Sequence, residues 1–230
     1  MRDVTLAIET SNPSGVAANA SVRPGVALLR GAEVLRVEPI TTDNPQHDDL
    51  MSAIDRACKA ANVSPRDIKN IAVSIGPGGF TNVRIAVTCA RMIAEATGAE
   101  LIGVPTALVV ALGTPCGNGP VAVALASKGD TAHVSVVSNG VLQAGEIMDA
   151  TKLATLNVAC IIADCYLPQP MRDIAAAKRW PVIAPVFDPV ACARAADGVA
   201  PEEPARLTPI YPREPEAVTK WRAMHAKKSD

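Results

Sequence analysis

The sequence has little net charge, no long apolar run and no clustered metal-binding residues, and each shortage excludes a class of protein. It has 22 basic and 23 acidic residues, for a formal net charge of −1, so it lacks the excess of Lys and Arg with which nucleic-acid-binding proteins hold phosphates. The longest apolar region, 101–112, is interrupted by Gly103, Pro105 and Thr106 and is too short to span a bilayer. We therefore expect neither export nor membrane insertion, and predict a cytoplasmic protein.

Cysteine and histidine lack the spacing that is typical of metal sites. The six cysteines form no CxxC pair, and the three histidines form no HxxxH or HxxE pattern, which argues against a zinc site built from neighbouring residues. Cysteine usage of this kind is typical of reduced, buried thiols in the cytosol rather than of a disulfide framework. We expect no bound metal, and reduced thiols at Cys58, Cys89, Cys116, Cys160, Cys165 and Cys192.

What the sequence does contain is enough apolar residue, 49% of the chain, for one or two compact units. In the first half, apolar periodicity together with proline and glycine signals predicts the order βββαβαβ. Asn44 and Pro45 supply the N-cap and first position of the first helix, and Gly98 ends the second. The predicted strands are 4–8, 26–29, 34–40, 68–75 and 101–104, and the predicted helices are 45–61 and 82–96.

The second half repeats the pattern, with an Asn-Gly hairpin signal at 139–140. The sequence predicts strands at 121–126, 132–137, 141–147, 160–163 and 182–184, and a short helix at 171–178. A terminal helix at 216–226 follows a proline-rich segment and is expected to fold back on the first lobe. We predict two βββαβα lobes, one formed by 1–104 with about 205–230 and the other by about 105–204.

A glycine-rich turn stands between the strand 68–75 and the helix that follows it. Gly76, Gly78, Gly79 and Thr81 belong to this turn, and a strand, a glycine turn and a helix start together place backbone N–H groups where an anion such as phosphate binds. A purely structural turn before a helix is the alternative, because such turns are common. The turn alone does not decide between the two.

The sequence around this turn resembles a known family. Residues 75–87, IGPGGFTNVRIAV, are similar to the GPGSFTGLRIGL signature of the bacterial TsaB (YeaZ) family, which belongs to the ASKHA superfamily of actin-like and sugar-kinase-like folds. Residues 6–11 resemble that family's opening LAIDTS, 47–50 its HSERL, 101–104 its PLVGVSSL and 209–218 its closing PxYLREPDAV. The resemblance covers the first lobe and the C-terminal segment, and implies a two-lobed α/β ASKHA fold.

The resemblance also implies a function. TsaB-like proteins are non-catalytic partners of TsaD, the enzyme that transfers a threonylcarbamoyl group to the adenosine beside the tRNA anticodon, and they allow the ATPase TsaE to dock. We therefore expect a TsaD-like and a TsaE-like partner, with tRNA contacted only through the complex. TsaD-like enzymes carry two metal-binding histidines where this chain has Thr106 and Val110, so no catalytic metal is expected.

Several positions depart from a working nucleotide site. Glu9 replaces the usual aspartate, Asn82 replaces a glycine, and the 12–25 segment is longer than in the family. We expect no cofactor beyond weak nucleotide binding, with a vestigial phosphate-loop turn at Glu9, Thr10, Ser11, Gly76, Gly78, Gly79 and Thr81. The rival interpretation is a stand-alone ASKHA kinase or glycoprotease-like hydrolase. A kinase needs a second acid mirroring Glu9, and only Asp130 is available.

The second predicted helix points to a partner independently. Only Arg84, Thr88, Arg91 and Glu95 interrupt its apolar surface, which is wider than the stripe of about 100° that packs on one sheet. The two helices covering each other is one explanation, and a homodimer or heterodimer interface is another. The candidate partner interface is Leu50, Met51, Ile54, Ala57, Val83, Ala86, Val87, Ala90, Ile93 and Ala94.

Overall fold

The computed structural model describes residues 3–12, 20–40 and 49–214, with Val218, Trp221, Arg222 and His225 in the tail. The strands are β1 Val4–Glu9, β2 Gly25–Arg30, β3 Glu33–Pro39, β4 Ile68–Ser74, β5 Glu100–Val104, β6 Val121–Lys128, β7 Thr131–Ser138, β8 Val141–Met148, β9 Cys160–Ala163 and β10 Val182–Ile183. The helices are α1 Leu50–Ala61, α2 Phe80–Thr97, α3 Thr106–Gly113, α4 Ala150–Leu153, α5 Gln169–Ala177 and α6 Pro189–Ala195. None of the described helices is long and apolar enough to cross a membrane.

The strands form two sheets of the same design. The first has the order β3-β2-β1-β4-β5 and the second β10-β9-β6-β7-β8. In each sheet the first strand pairs antiparallel with the second and parallel with the strand that follows the hairpin, as β1 does with β2 and β4, and β6 with β7 and β9. The predicted two-lobed α/β fold with repeated βββαβα lobes is thus confirmed, including both hairpins.

Helices cover both faces of the first sheet, and the sizes of the side chains decide which helix lies where. On one face, large residues such as Leu6, Ile8 and Ile71 pack beneath α1 and α2. On the other face β1 and β4 present the small Ala7 and Ala72, and α6 packs there through its own small residues. Small side chains on both surfaces allow a helix to approach a sheet closely.

Helix α3 and helix α6 lie between the two sheets. Helix α3 contacts α6 and also the second sheet, whose opposite face is covered by α4 and α5. The division of the chain into lobes at 104 and 205 stays a prediction, and it must accommodate α6, which comes from the segment assigned to the second lobe and packs on the first sheet.

Some element predictions need correction. Helix α3 was not predicted because its residues are apolar all round, which leaves no 3.6-residue alternation to detect. Helix α1 begins at Leu50 with Asp49 as its N-cap rather than at 45, while the proposed cap and first residue, Asn44 and Pro45, lie outside the described residues. Helix α2 begins two residues early, at Phe80, and ends at Gly98 as predicted.

The cysteine prediction is wrong for one pair. Cys116, in the loop after α3, and Cys160, at the start of β9, form a disulfide although 44 positions separate them in sequence. The topology that joins them, a parallel pairing of β6 with β9, is not visible in the spacing of the cysteines. Cys58 and Cys192 are buried thiols as expected, but Cys165 is exposed.

The C-terminal segment contacts both lobes. The backbone N–H of Ile210 donates to the carbonyl of Ile75 at 2.7 Å, and Leu207 is buried in the core of the first lobe. Arg213, in contrast, donates to the Thr131 hydroxyl of the second lobe at 2.9 Å. Of the predicted terminal helix, only Val218, Trp221, Arg222 and His225 are described, and all four are helical; the rest of that prediction lies outside the described residues.

Candidate functional site

The glycine-rich turn connects β4 to α2 and is held by backbone hydrogen bonds. The N–H of Thr106 donates to the carbonyl of Gly76 at 2.8 Å, and the Gly76–Pro77 peptide bond is cis. Gly76 has a φ of +100°, a region that residues with a Cβ rarely adopt. The turn therefore needs glycine at this position for its own geometry.

The turn packs directly on the end of β1. The N–H of Gly79 donates to the carbonyl of Ser11 at 2.7 Å, so the chain itself occupies a donor that an anion would otherwise use. A Cβ on Gly78 would overlap the same carbonyl oxygen. At these two glycines the contacts favour the structural alternative, and phosphate binding by the turn stays an untested prediction.

Glu9 lies inside the protein rather than in an open cleft. Its side chain is fully buried, as is that of Ser11, and Thr10 is 4% exposed. The backbone N–H and the hydroxyl of Ser11 donate to Oε1 at 2.8 and 2.6 Å, while the buried Oε2 accepts no hydrogen bond from the described residues. Burial raises the pKa of Glu9 although the hydrogen bonds from Ser11 oppose it.

An acid that the sequence analysis missed lies opposite this loop. Asp164 follows β9 and is 5% exposed, and its Oδ2 accepts a hydrogen bond from the side-chain amide of Asn12 at 3.1 Å. This contact joins the first loop to the second lobe across 152 positions. Asp130, the acid chosen from sequence, instead lies exposed in the β6–β7 turn. An acidic residue directly after a buried strand was the signal available.

The positions matched to catalytic histidines are part of the core. Val110 and Thr106 are fully buried in α3, and the Thr106 hydroxyl hydrogen-bonds with that of Ser74 at 2.8 Å. Among the described residues there is no group of three or more His, Cys, Asp or Glu side chains that could hold a metal ion. The residues described here thus offer no set of donors that resembles a catalytic metal centre.

The predicted partner interface is mostly inside the protein. Eight of its ten residues are 7% exposed or less, because α1 packs on β2 and β3 and α2 packs on β4 and β5. These residues are therefore unavailable to a partner in this conformation, and the prediction is corrected for Leu50, Ile54, Ala57, Val83, Ala86, Val87, Ala90 and Ala94. Met51 and Ile93 remain accessible.

An apolar groove lies between the two helices nevertheless. It has a volume of about 670 Å³, and Met51 from α1 and Met92 from α2 are 58% and 68% exposed beside it. The sulfur atoms of Met51 and Cys89 lie 3.1 Å apart across it. The groove is lined by Met51, Pro65, Arg84, Ile85, Thr88, Cys89, Met92, Ile93, Ala96 and Thr97. The apolar residues that flank the polar stripe of α2 were the signal for this surface.

We expect Gly78→Ala to destabilise the fold. The added Cβ meets a backbone carbonyl that cannot rotate away, so the free energy of unfolding should fall by about 1–3 kcal/mol. Gly117→Ala is the control, since a Cβ there has nothing within 4 Å, and it should leave stability nearly unchanged. Urea unfolding of both variants makes the comparison, and equal stabilities would contradict the packing of this turn on Ser11.

We expect Glu9→Gln to change how stability depends on pH. Because the folded-state pKa of Glu9 is raised above its ordinary value of 4.5, the contribution of the neutral carboxyl is present at pH values below 4.5 and declines as pH rises through the folded pKa. Wild type should therefore lose stability relative to the variant as pH increases from about 4 to 8.

Urea unfolding at several pH values measures this difference. Glu100→Gln, which changes an exposed side chain, is the matched control and should give a small effect at each pH. A wild-type advantage over Glu9→Gln that grows with pH would show that Glu9 is ionised in the folded protein.

The chain is similar to known proteins over much of its length. Residues 37–196 match the protein family described as "TsaD: tRNA N6-adenosine threonylcarbamoyltransferase". The tRNA threonylcarbamoyladenosine biosynthesis protein TsaB of Bacillus subtilis (strain 168) is 34% identical over 115 residues, which make up 50% of this chain and 44% of that protein. The match thus spans less than half of this curated relative.

Two solved structures share the fold. YeaZ from Pseudomonas aeruginosa has a TM-score of 0.66 and 19% identity, over 91% of this chain and 99% of that chain. A protein described as uncharacterized, "with similarity to peptidase YEAZ from Pseudomonas aeruginosa", has a TM-score of 0.63 and 20% identity, over 92% and 100%. Because the family match covers more than half of the 230 residues and these relatives carry the TsaB and YeaZ names, the chain belongs to the TsaD family of tRNA N6-adenosine threonylcarbamoyltransferases, in its TsaB (YeaZ) group.

Proposed function

We propose that this protein is a partner subunit in tRNA threonylcarbamoyladenosine synthesis. It binds a TsaD-like catalytic subunit through the groove between α1 and α2, and supports transfer of the threonylcarbamoyl group to the adenosine beside the tRNA anticodon. The single observation that carries the proposal is the exposed apolar groove. Membership of the TsaB group gives the groove its biological setting.

The groove has the properties of a helix-binding surface. Apolar side chains from two neighbouring helices line it, and both exposed methionines adapt readily to the shape of a partner. Contiguous exposed apolar surface of this kind marks interaction sites in proteins that are otherwise polar outside. A pair of partner helices laid against α1 and α2 would form a four-helix bundle and remove Met51 and Met92 from water.

The assignment of a non-catalytic role is supported by three contacts. Glu9 is buried and its pKa is raised, Gly79 spends its N–H on Ser11, and Thr106 hydrogen-bonds within the core. Each uses for folding a position that phosphate or metal chemistry would need. The chain then contributes a surface, while catalysis, tRNA binding and ATP hydrolysis belong to TsaD-like and TsaE-like partners.

A second copy of this chain is the other occupant that the groove accommodates. The same apolar residues would face each other across a two-fold axis, as in closed dimers generally. We assign this homodimer to the isolated protein and the heterodimer to the functional complex. Competition between the two follows, because both use the same helices.

We expect Met92→Arg to abolish binding of the TsaD-like subunit while leaving the fold intact. Met92 is 68% exposed, so arginine is hydrated in the free chain, but an interface would trap its charge without a partner. A cost of about 3 kcal/mol corresponds to about a hundredfold weaker binding. Titration calorimetry with the TsaD-like subunit of the same organism measures the affinity, and thermal unfolding verifies the fold.

Two control variants make the result specific. Val141→Arg alters an exposed apolar residue on β8 of the second sheet, and should change neither stability nor binding. Ala90→Arg forces a charge under α2, where the side chain is fully buried, and should unfold the protein. A folded Met92→Arg variant that still binds with wild-type affinity would move the partner site away from this groove.

We expect the isolated chain to show no threonylcarbamoyl transfer and no ATP turnover of its own. Transfer by the TsaD-like and TsaE-like subunits should require this chain, and wild type should restore it where Met92→Arg does not. Product formation on tRNA, measured with each component omitted in turn, provides the test. Turnover near 1 s⁻¹ or faster by the chain alone would favour the stand-alone enzyme.

A further inference from the structure

Three buried polar atoms without hydrogen-bond partners lie close together on the second lobe and the C-terminal segment. They are Oγ of Ser127, Nδ1 of His133 and Nε of Arg213. Ser127 lies at the irregular end of the β6–β7 pairing, next to the Lys128–Thr131 pair, and Arg213 donates to Thr131. Buried polar groups are almost always paired, so three unpaired groups at one place indicate a ligand or ordered solvent.

A cavity of about 360 Å³ adjoins this cluster. Arg213 lines one part of it, and Phe80 from the start of α2, Ala126 from β6 and Tyr211 line others. The rings of Phe80 and Tyr211 are 46% and 39% exposed and their centroids lie 4.8 Å apart. The cavity thus combines an aromatic wall with a guanidinium group.

The charges around the cavity leave Arg213 without a counter-ion. Arg213 forms no ion pair with the described residues, and its described hydrogen bonds go to Thr131. Glu214 also lines the cavity, but both its carboxylate oxygens accept hydrogen bonds from Arg222 at 2.7 Å. His133 is 9% exposed, and burial together with the charge of Arg213 lowers its pKa, so its imidazole adds no charge at neutral pH.

We propose that this cavity binds a small molecule in which a carboxylate or phosphate group is attached to a planar, apolar body. The guanidinium of Arg213 pairs with the oxyanion, for which its fork geometry is suited, and Ser127 and His133 supply further hydrogen bonds. The planar body lies against Phe80 and Tyr211. The site is separate from the Ser11–Gly79 contact and from the groove between α1 and α2, so it does not depend on the proposed function.

The test follows the His133 imidazole nitrogens by NMR while phenyl phosphate, benzoate, inorganic phosphate or phenol is added to the full chain. We expect a saturable shift with phenyl phosphate or benzoate, weaker binding of inorganic phosphate, and none with phenol. The first two probes distinguish a phosphate ligand from a carboxylate one. Arg213→Gln should weaken binding at least tenfold, whereas Arg206→Gln, an equal charge change on an exposed side chain paired with Glu203, should not.

Three outcomes would overturn the proposal. They are the absence of any shift at about 10 mM of both aromatic probes, unchanged binding by Arg213→Gln, and equal affinity for inorganic phosphate and phenyl phosphate. If Arg213→Gln melts well below wild type, Ser127→Ala provides the measurement instead. It should weaken phenyl phosphate binding threefold or more, and wild-type affinity in that variant would remove the hydroxyl from the site.

Discussion

The hydrogen bond from Gly79 to the Ser11 carbonyl, together with the absence of a side chain on Gly78, fixes where α2 begins. This contact ties the end of β1 to the turn that precedes the helix. Because α2 starts from a fixed point on the sheet, its small buried residues face β4 and β5, and its methionine and cysteine face α1 across the groove. The partner surface is thus a consequence of how one glycine turn packs.

The same contact explains why a fold shared with kinases is here assigned to binding. The donor on Gly79 is satisfied internally, and the carboxyl of Glu9 is enclosed with the hydroxyl of Ser11. A loop that wraps phosphates must keep its donors facing solvent until a ligand arrives. In this chain the loop contributes to the core and to the link between lobes through Asn12 and Asp164.

Strong periodic patterns allowed both hairpins, the parallel strands and α2 to be predicted from sequence. Helix α3 escaped because a helix buried between two sheets is apolar on all sides. The width of the apolar arc of α2 correctly indicated a second contact surface, but periodicity alone does not say which part of the arc faces the sheet. Ala86 and Ala90 face it, while Ile85 and Met92 do not. Asp164 and the Cys116–Cys160 pair depend on strand order, which local sequence does not contain.

The late segment that completes the first lobe imposes an order on folding during synthesis. Glu202 pairs with Leu101 at the edge of the first sheet, and Leu207 fills the core beneath it. A ribosome adding about 10 residues per second needs on the order of 10 s to pass from the first of these positions to the second. Throughout that interval the edge of β5 and part of the apolar core stay open to water. The nascent first lobe is therefore a natural client for a chaperone that shields strand edges until the rest of the chain emerges.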